Sequence, residues 1–317
     1  MRALITGITG QDGSYLAEFL LKKGYQVYGL VRRLSTANYW RIEPYLDQIE
    51  LIEGDLADSG SLLLALKKAK PDEVYNLAAQ SFVATSWNQP ILTGDITGLG
   101  AARMLEACYR FNPEIKFYQA SSSELFGLAS ESPQKETTPF HPRSPYAAAK
   151  AYAHYMTLNY RESYQMFCCA GILFNHESPR RGEEFVSRKI SQAVARIALK
   201  KQKKLCLGNL EAKRDWGYAP EYVEAMWLML QNSKPKDYVI ATGKTYSVRD
   251  LVKMAFEVVD LDYKDYVVSN KAFLRPADVP ELCGDSSLAK KELGWQAKTT
   301  LKEIITEMVE ADLERER

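Results

Sequence analysis

The first thirty-one residues constrain the fold more than any other part of the chain. Residues 1–6 form a short apolar run, Met-Arg-Ala-Leu-Ile-Thr, the pattern of a strand buried on both faces. Gly7, Gly10 and Gly13 follow at three-residue spacing, then a helical periodicity over residues 14–21, then a second apolar run at 26–31. Glycines so placed permit a tight turn, a close approach of the backbone to a pyrophosphate, and tight packing of helix on strand. The helix N-terminus then offers free N–H groups and the positive end of its dipole to phosphate. Strand, glycine turn, helix and strand together open a dinucleotide-binding βαβ unit, with Gly7, Gly10, Gln11, Asp12 and Gly13 as its candidate phosphate turn.

The second strand is followed by Arg32-Arg33, where an NAD site usually places a carboxylate for the ribose 2′-hydroxyl. Guanidinium groups suit a 2′-phosphate by charge and by bidentate geometry, which favours NADP, with Arg32 as the candidate contact and a solvated arginine pair as the competing reading. Candidate strands at 2–6, 26–31, 49–52, 73–76, 115–120 and 166–172 alternate with candidate helices at 14–23, 59–68, 94–110 and 146–163. That alternation predicts an α/β fold, a Rossmann-type doubly wound parallel sheet. After residue 174 the rhythm breaks into loops and shorter elements, with helices expected at 185–200, 220–232, 247–258 and 299–314. The expected division is a dinucleotide-binding domain at 1–174 and a smaller lobe at 175–317. Some late elements should return to the sheet, and the lobe should cover the carboxyl ends of the strands, where ligands bind in such folds. Asp55 and Leu56, after the third strand, would lie near an adenine. Leu77, Ala78, Ala79, Gln80 and Ser81, after the fourth, occupy the place that lines a nicotinamide ribose.

With 41 basic and 40 acidic residues among 317, the chain has no nucleic-acid footprint, and its 46% hydrophobic content supports a sizeable core. Five cysteines without a C-x-x-C spacing fit reduced, mostly buried thiols and a cytoplasmic protein; no metal-ligand set is assigned. Met1 leads directly into the first strand, so no leader is expected, and no apolar stretch is long enough to span a bilayer.

Tyr146 and Lys150 lie four apart in an expected helix and so share one face. An ammonium beside a phenol favours phenolate, a base able to take a proton from a sugar hydroxyl. The pair alone is weak, since a surface helix carries it by chance. It gains weight from Ser121-Ser122-Ser123-Glu124, expected just past the carboxyl end of the fifth strand, over the cofactor. There a serine can bond the hydroxyl that Tyr146 deprotonates, and Glu124 can move a proton on a neighbouring carbon. The plainer reading is that the serines satisfy a turn and Glu124 caps a helix.

The chain resembles the extended short-chain dehydrogenase/reductase superfamily and, within it, the GDP-mannose 4,6-dehydratase family, over essentially its whole length. The specific stretches are Gly7-Ile8-Thr9-Gly10-Gln11-Asp12-Gly13-Ser14-Tyr15, Phe174-Asn175-His176-Glu177-Ser178-Pro179-Arg180-Arg181-Gly182 and Leu207-Gly208-Asn209-Leu210-Glu211-Ala212-Lys213-Arg214-Asp215-Trp216-Gly217. The resemblance implies Ser122, Glu124 and Tyr146 as a catalytic trio, with Lys150 supporting the tyrosine and the cofactor. It puts His176 and Arg181 on NADP, and Ser81, Asn175, Lys189, Arg214 and Arg275 on the GDP-sugar. It also implies conversion of GDP-mannose to GDP-4-keto-6-deoxymannose through bound NADP, and a homodimer or homotetramer. Two plainer readings stand beside it: Arg214 in an ion pair with Asp215, and His176 as a satisfied core histidine. Ser122 stands where well-known members carry threonine, and Tyr218 where histidine is common. The rival activities are a nucleotide-sugar reductase or epimerase on the same scaffold, and a cofactor-sensing protein without catalysis. A strict reductase has no need of Glu124.

Overall fold

The computed structural model describes residues 1–270, 279 and 281–317. Its central sheet is built from β1 (Arg2–Thr6), β2 (Gln26–Val31), β3 (Ile49–Glu53), β4 (Glu73–Asn76), β5 (Lys116–Ser122), β6 (Cys168–Leu173) and a seventh strand, Tyr238–Ile240. The seven run parallel in the order Tyr238–Ile240, β6, β5, β4, β1, β2, β3. Order reverses between β1 and β4, which opens a crevice at the carboxyl ends of those strands.

Strand alternation divides the side chains between two cores. Ala3 and Ile5 face one core with Leu16 and Leu20 of helix α1 (Gln11–Lys22). Leu4 faces the other, with Leu62 and Leu66 of α2 (Ser59–Ala69). Cys168 and Cys169 separate in the same way, one into each core, and both are fully buried. The second core is closed by two longer helical segments. One is a run of α3 (Val83–Asn88), α4 (Pro90–Thr93), a π-helical turn Gly94–Leu99 and α5 (Gly100–Phe111); the other is α6 (Pro145–Tyr164). Ser144 caps α6 by accepting from the Ala147 N–H, and Pro145 occupies its first turn, where a missing N–H costs nothing.

Beyond β6 come β7 (Asn175–Glu177), α7 (Val186–Ala198), β8 (Leu205–Leu207), β9 (Lys213–Tyr218), α8 (Ala219–Gln231), β10 (the sheet strand Tyr238–Ile240), β11 (Thr245–Ser247), α9 (Val248–Glu257), β12 (Val267–Ser269), β13 (Glu281–Leu282), α10 (Ser287–Leu293) and α11 (Leu301–Glu316). A small sheet centres on β9, with β11 antiparallel on one side, β13 parallel on the other, and β7 parallel along its later residues Trp216–Tyr218. Helices α7, α9 and α11 cover a third core around Trp216. Helix α8 joins the first core against α1 through Tyr222, Val223 and Met226, and β10 extends the main sheet.

Two local expectations change. Strand β5 continues through Ser122, so Ser121 and Ser122 are its last residues and only Ser123 lies beyond it. The helix expected from residue 94 begins at Pro90 and carries the π-helical turn, one residue wider than α.

Candidate active site

The glycine turn is dictated by sterics. Gly7 adopts φ +71°, and a Cβ there would lie 2.9 Å from the Ala78 nitrogen. Gly13 sits where a Cβ would meet the Gly7 carbonyl oxygen at 2.2 Å. The Gly10 N–H closes the turn on that same oxygen at 2.9 Å. Gly10 then begins α1 without a side-chain cap, leaving the first N–H groups of the helix at the crevice. A pyrophosphate fits this cradle: the backbone is stripped of side chains where it must approach, and a helix N-terminus with no cap of its own faces it.

At the carboxyl end of β5, Ser122 accepts from the Glu124 N–H at 3.2 Å and also hydrogen-bonds the Tyr146 hydroxyl. Ser122 therefore caps the short 3₁₀ turn Ser123–Leu125 and holds the phenol as well. Tyr146 and Lys150 lie on the inner face of α6, 8% and 4% exposed. The Lys150 Nζ donates to the Ala120 carbonyl at 2.6 Å and lies 5.9 Å from the centre of the Tyr146 ring. The expected depression of the phenol by this lysine is not what the protein alone provides. Burial pushes Tyr146 up to about 12, opposed by the Ser122 bond and the Arg181 charge. Burial likewise brings Lys150 down to about 8, with the Asp12 charge working against it. The ammonium is turned to a carbonyl rather than to the phenol oxygen, so desolvation outweighs attraction.

Asp12 and His176 form an ion pair at 2.9 Å, while the other ring nitrogen of His176 donates to the Phe174 carbonyl at 2.7 Å. Both ring nitrogens are thus engaged within the protein. It stacks on Tyr222 at 4.6 Å. Against the cost of burial, the His176 charge holds Asp12 at about 2, and Asp12 raises His176 above its ordinary range. Gln11 clamps the same junction, donating to Asp12 and to the His176 carbonyl and accepting from Ser178. Arg181 lies against the Phe185 ring at 3.8 Å and pairs with Glu177 at 3.1 Å, near enough to Tyr146 and Asp12 to act on both.

Leu77 and Ala78 are held by the Thr6 hydroxyl, which accepts from both of their N–H groups at 3.1 Å. The Gln80 N–H donates to Thr97 of the π-helical turn, and Ala79 and Ser81 complete the segment over the β4 end. Asp55 accepts from the Ala57 N–H, and Leu56 is buried against Gly100. Arg32 and Arg33 are exposed just past β2. Asn175 opens β7, and Lys189 is half-buried on α7. Arg214 donates to the Lys213 and Val279 carbonyls at 2.8 Å. Asp215 accepts from Thr242 (N–H and hydroxyl), Gly243 and Gly284, because neighbours on a strand face opposite ways. Arg275 lies outside the described residues.

Sequence reasoning missed the buried network under this floor. The Thr6 hydroxyl donates to Asn76 Oδ1 at 2.8 Å, and Asn76 Nδ2 donates to Gln119 Oε1 at 2.8 Å, tying the ends of β1 and β4 to the middle of β5. The available signal was a polar residue ending each of two buried strands and a third polar residue inside their neighbour. Ser121 was among the candidate serines, but its partner was not foreseen: its hydroxyl meets His154 at 3.0 Å, behind Ser122 and Tyr146.

A family model described as GDP-mannose 4,6 dehydratase matches residues 4–308. GDP-mannose 4,6 dehydratase 1 of Arabidopsis thaliana is 54% identical over 324 residues, covering 98% of this chain and 90% of that protein. The GDP-mannose 4,6-dehydratase of Vibrio cholerae serotype O1 is 50% identical over 350 residues, covering 99% and 94%. Among solved structures, Thermus thermophilus UDP-glucose 4-epimerase in complex with NAD aligns with a TM-score of 0.85 at 26% identity, over 98% of this chain and 99% of that one. The dTDP-glucose 4,6-dehydratase of Bacillus anthracis, in complex with NAD, shares the fold at a TM-score of 0.87 and 22% identity, over 100% and 97%.

Proposed function

The chain belongs to the GDP-mannose 4,6-dehydratase family, and from that premise we propose how its own residues divide the reaction. The reaction converts GDP-mannose to GDP-4-dehydro-6-deoxymannose and water, with no net change of oxidation state. Tyr146 takes the proton from O4 of the hexose, with Ser122 holding the same oxygen in line. Glu124 takes the proton from C5, which a ketone at C4 makes acidic. Loss of the C6 hydroxyl as water follows, protonated by Glu124 or Ser122. When bound, the nicotinamide dinucleotide supplies an acceptor for the C4 hydride, its donor at C6 and a positive charge in the oxidised state. Gly7, Gly10 and Gly13 with the α1 N-terminus would hold its pyrophosphate, and Lys150 its ribose. Arg32, exposed after β2 where no carboxylate stands, favours NADP. Asn175, Lys189 and Arg214 are assigned to the GDP-sugar.

One observation carries this reading: a carboxylate, Glu124, stands beside the serine–tyrosine pair, near enough for its charge to act on the phenol. We also propose a homodimer or homotetramer, supported by exposed apolar residues along the Pro90 to Leu99 stretch and α6: Ile91, Leu92, Leu99, Tyr152 and Tyr155.

Glu124→Gln keeps the side chain's shape and removes the C5 base. In a single turnover with GDP-mannose the variant should oxidise C4 and stall before losing water. Bound reduced dinucleotide should then accumulate, visible by its absorbance, where the wild-type protein shows little. Water loss at the wild-type rate would exclude Glu124 as the C5 base.

A further inference from the structure

The chemistry assigned above uses Ser122, Glu124, Tyr146 and Lys150, yet the buried pair Asp12–His176, whose carboxylate acts on both Tyr146 and Lys150, has no part in it. Asp12 stands in the first turn of α1, and His176 on β7 of the second lobe, so their 2.9 Å contact spans 164 residues of sequence. His176 is 7% exposed, fixed by the Phe174 carbonyl on one nitrogen, by Asp12 on the other and by Tyr222 across its face. A ring donating from both nitrogens is an imidazolium. The groups facing the pair are Arg181, whose charge acts on both members, the Lys150 ammonium, which interacts with Asp12, Gln11 and Ser178 at the clamp, and the phenols of Tyr118 and Tyr222. Those acting on Tyr146 are Ser122, Glu124, Arg181 and Asp12 itself.

Resting on the assignment of Tyr146 as the base, we propose that His176 is a positioning residue whose imidazolium neutralises Asp12. The pair thereby locks β7 to the dinucleotide helix without leaving a bare negative charge within electrostatic reach of the catalytic phenol. Asp12 is well placed to serve the α1 turn and to support the Lys150 ammonium. Uncompensated, the same carboxylate would oppose formation of a phenolate on Tyr146, because like charges disfavour the ionised form. The histidine lets one carboxylate do the first task without the second effect.

The test is a charge ledger read from pH profiles of kcat/KM with GDP-mannose. His176→Gln leaves a hydrogen-bond donor to Asp12 but a net charge of −1, and its activity should rise with pH about one unit later than in wild type. Asp12→Asn removes the negative charge and leaves the pair at +1 with the ring protonated and at zero without, so its rising limb should lie no later than in wild type. The double variant Asp12→Asn/His176→Gln carries no net charge at the pair, and its rising limb should return to the wild-type position, whatever happens to KM. A purely structural pair would lower activity or stability in all three variants without this pattern, so an unmoved limb in folded His176→Gln overturns the proposal. So does a double variant whose limb stays displaced. Tyr146→Phe, run alongside, separates the two readings. If it is inactive, by about a hundredfold to ten-thousandfold, an unmoved limb sinks this proposal alone; if it turns over normally, the base assignment falls and this proposal with it. Should His176→Gln fail to fold, the wild-type protein still decides. The chain has three histidines, and ¹⁵N spectra at pH 7 should show the His176 ring protonated on both nitrogens. A neutral His176 ring at that pH overturns the inference.

Discussion

Replacing Gly13 by alanine isolates the geometry on which dinucleotide binding depends. Gly13 is not in the left-handed region, so the objection to a side chain there is spatial. A Cβ would lie 2.2 Å from the Gly7 oxygen, 2.6 Å from the Ile8 Cα and 2.8 Å from the Gly7 carbonyl carbon. Ordinary contacts stand at about 3.5 Å, so the overlap exceeds about 1 Å. All three atoms are backbone and cannot swing aside like a flexible side chain. Either α1 moves outward or the Gly7–Gly10 turn opens, and both displace the cradle. Overpacking of this kind costs about 1–3 kcal/mol. If that strain falls on the bound geometry, each 1.4 kcal/mol is about tenfold in affinity, so dinucleotide binding should weaken by about ten- to a hundredfold. Gly10→Ala meets the Gly7 oxygen at 3.2 Å and should lose only a few-fold. Gly24 provides the contrast. It has φ +80° with nothing within 4 Å of a Cβ, so Gly24→Ala should cost about 1–2 kcal/mol of stability with no effect on binding. Calorimetric titration with NADP and thermal melting of each variant would rank them. Wild-type affinity in a Gly13→Ala protein, or equal losses of affinity at Gly13 and Gly24, would refute the steric account.

Two further outcomes follow from the charges. NADP should bind more tightly than NAD, and Arg32→Ala should remove on the order of tenfold of that preference, as loss of a charge-assisted contact does. Equal binding of the two dinucleotides to the wild-type protein would end that reading, and a loss confined to Arg33→Ala would move the contact to Arg33. The stability of the Asp12–His176 pair should depend on pH from both sides. Asp12, lowered from 3.8 to about 2, contributes above pH 3.8 and loses its contribution as pH falls towards 2. His176, raised above 6.5, contributes fully below pH 6.5 and loses its contribution as pH rises through its folded value. The melting difference between wild type and Asp12→Asn should therefore be greatest between pH 3.8 and 6.5, and a difference flat from pH 3 to 9 would contradict it.

The sequence by itself determined the frame because local rules sufficed. Six strands and their helices were legible from apolar runs bounded by turns, and the glycine turn from its spacing between strand and helix. Tyr146 and Lys150 needed only the pitch of α6 to share a face. The short strands of the small sheet were not legible: β7, β11 and β13 are two or three residues long, and their pairing with β9 joins residues up to 68 positions apart. Strand β10 was missed for the same reason, since Tyr238–Ile240 becomes a strand only by lying beside β6.

Only the tertiary structure decided the electrostatics of the site. The Y-x-x-x-K spacing suggested a depressed phenol. Folding instead buries both groups and turns the lysine to the Ala120 carbonyl, so desolvation, which no sequence window contains, sets the direction of both shifts. His176 shows the same limit. The motif marked the residue, but its partner arrives from 164 positions away. Periodicity encodes which way a side chain faces; which charge it meets there depends on how distant segments are folded together.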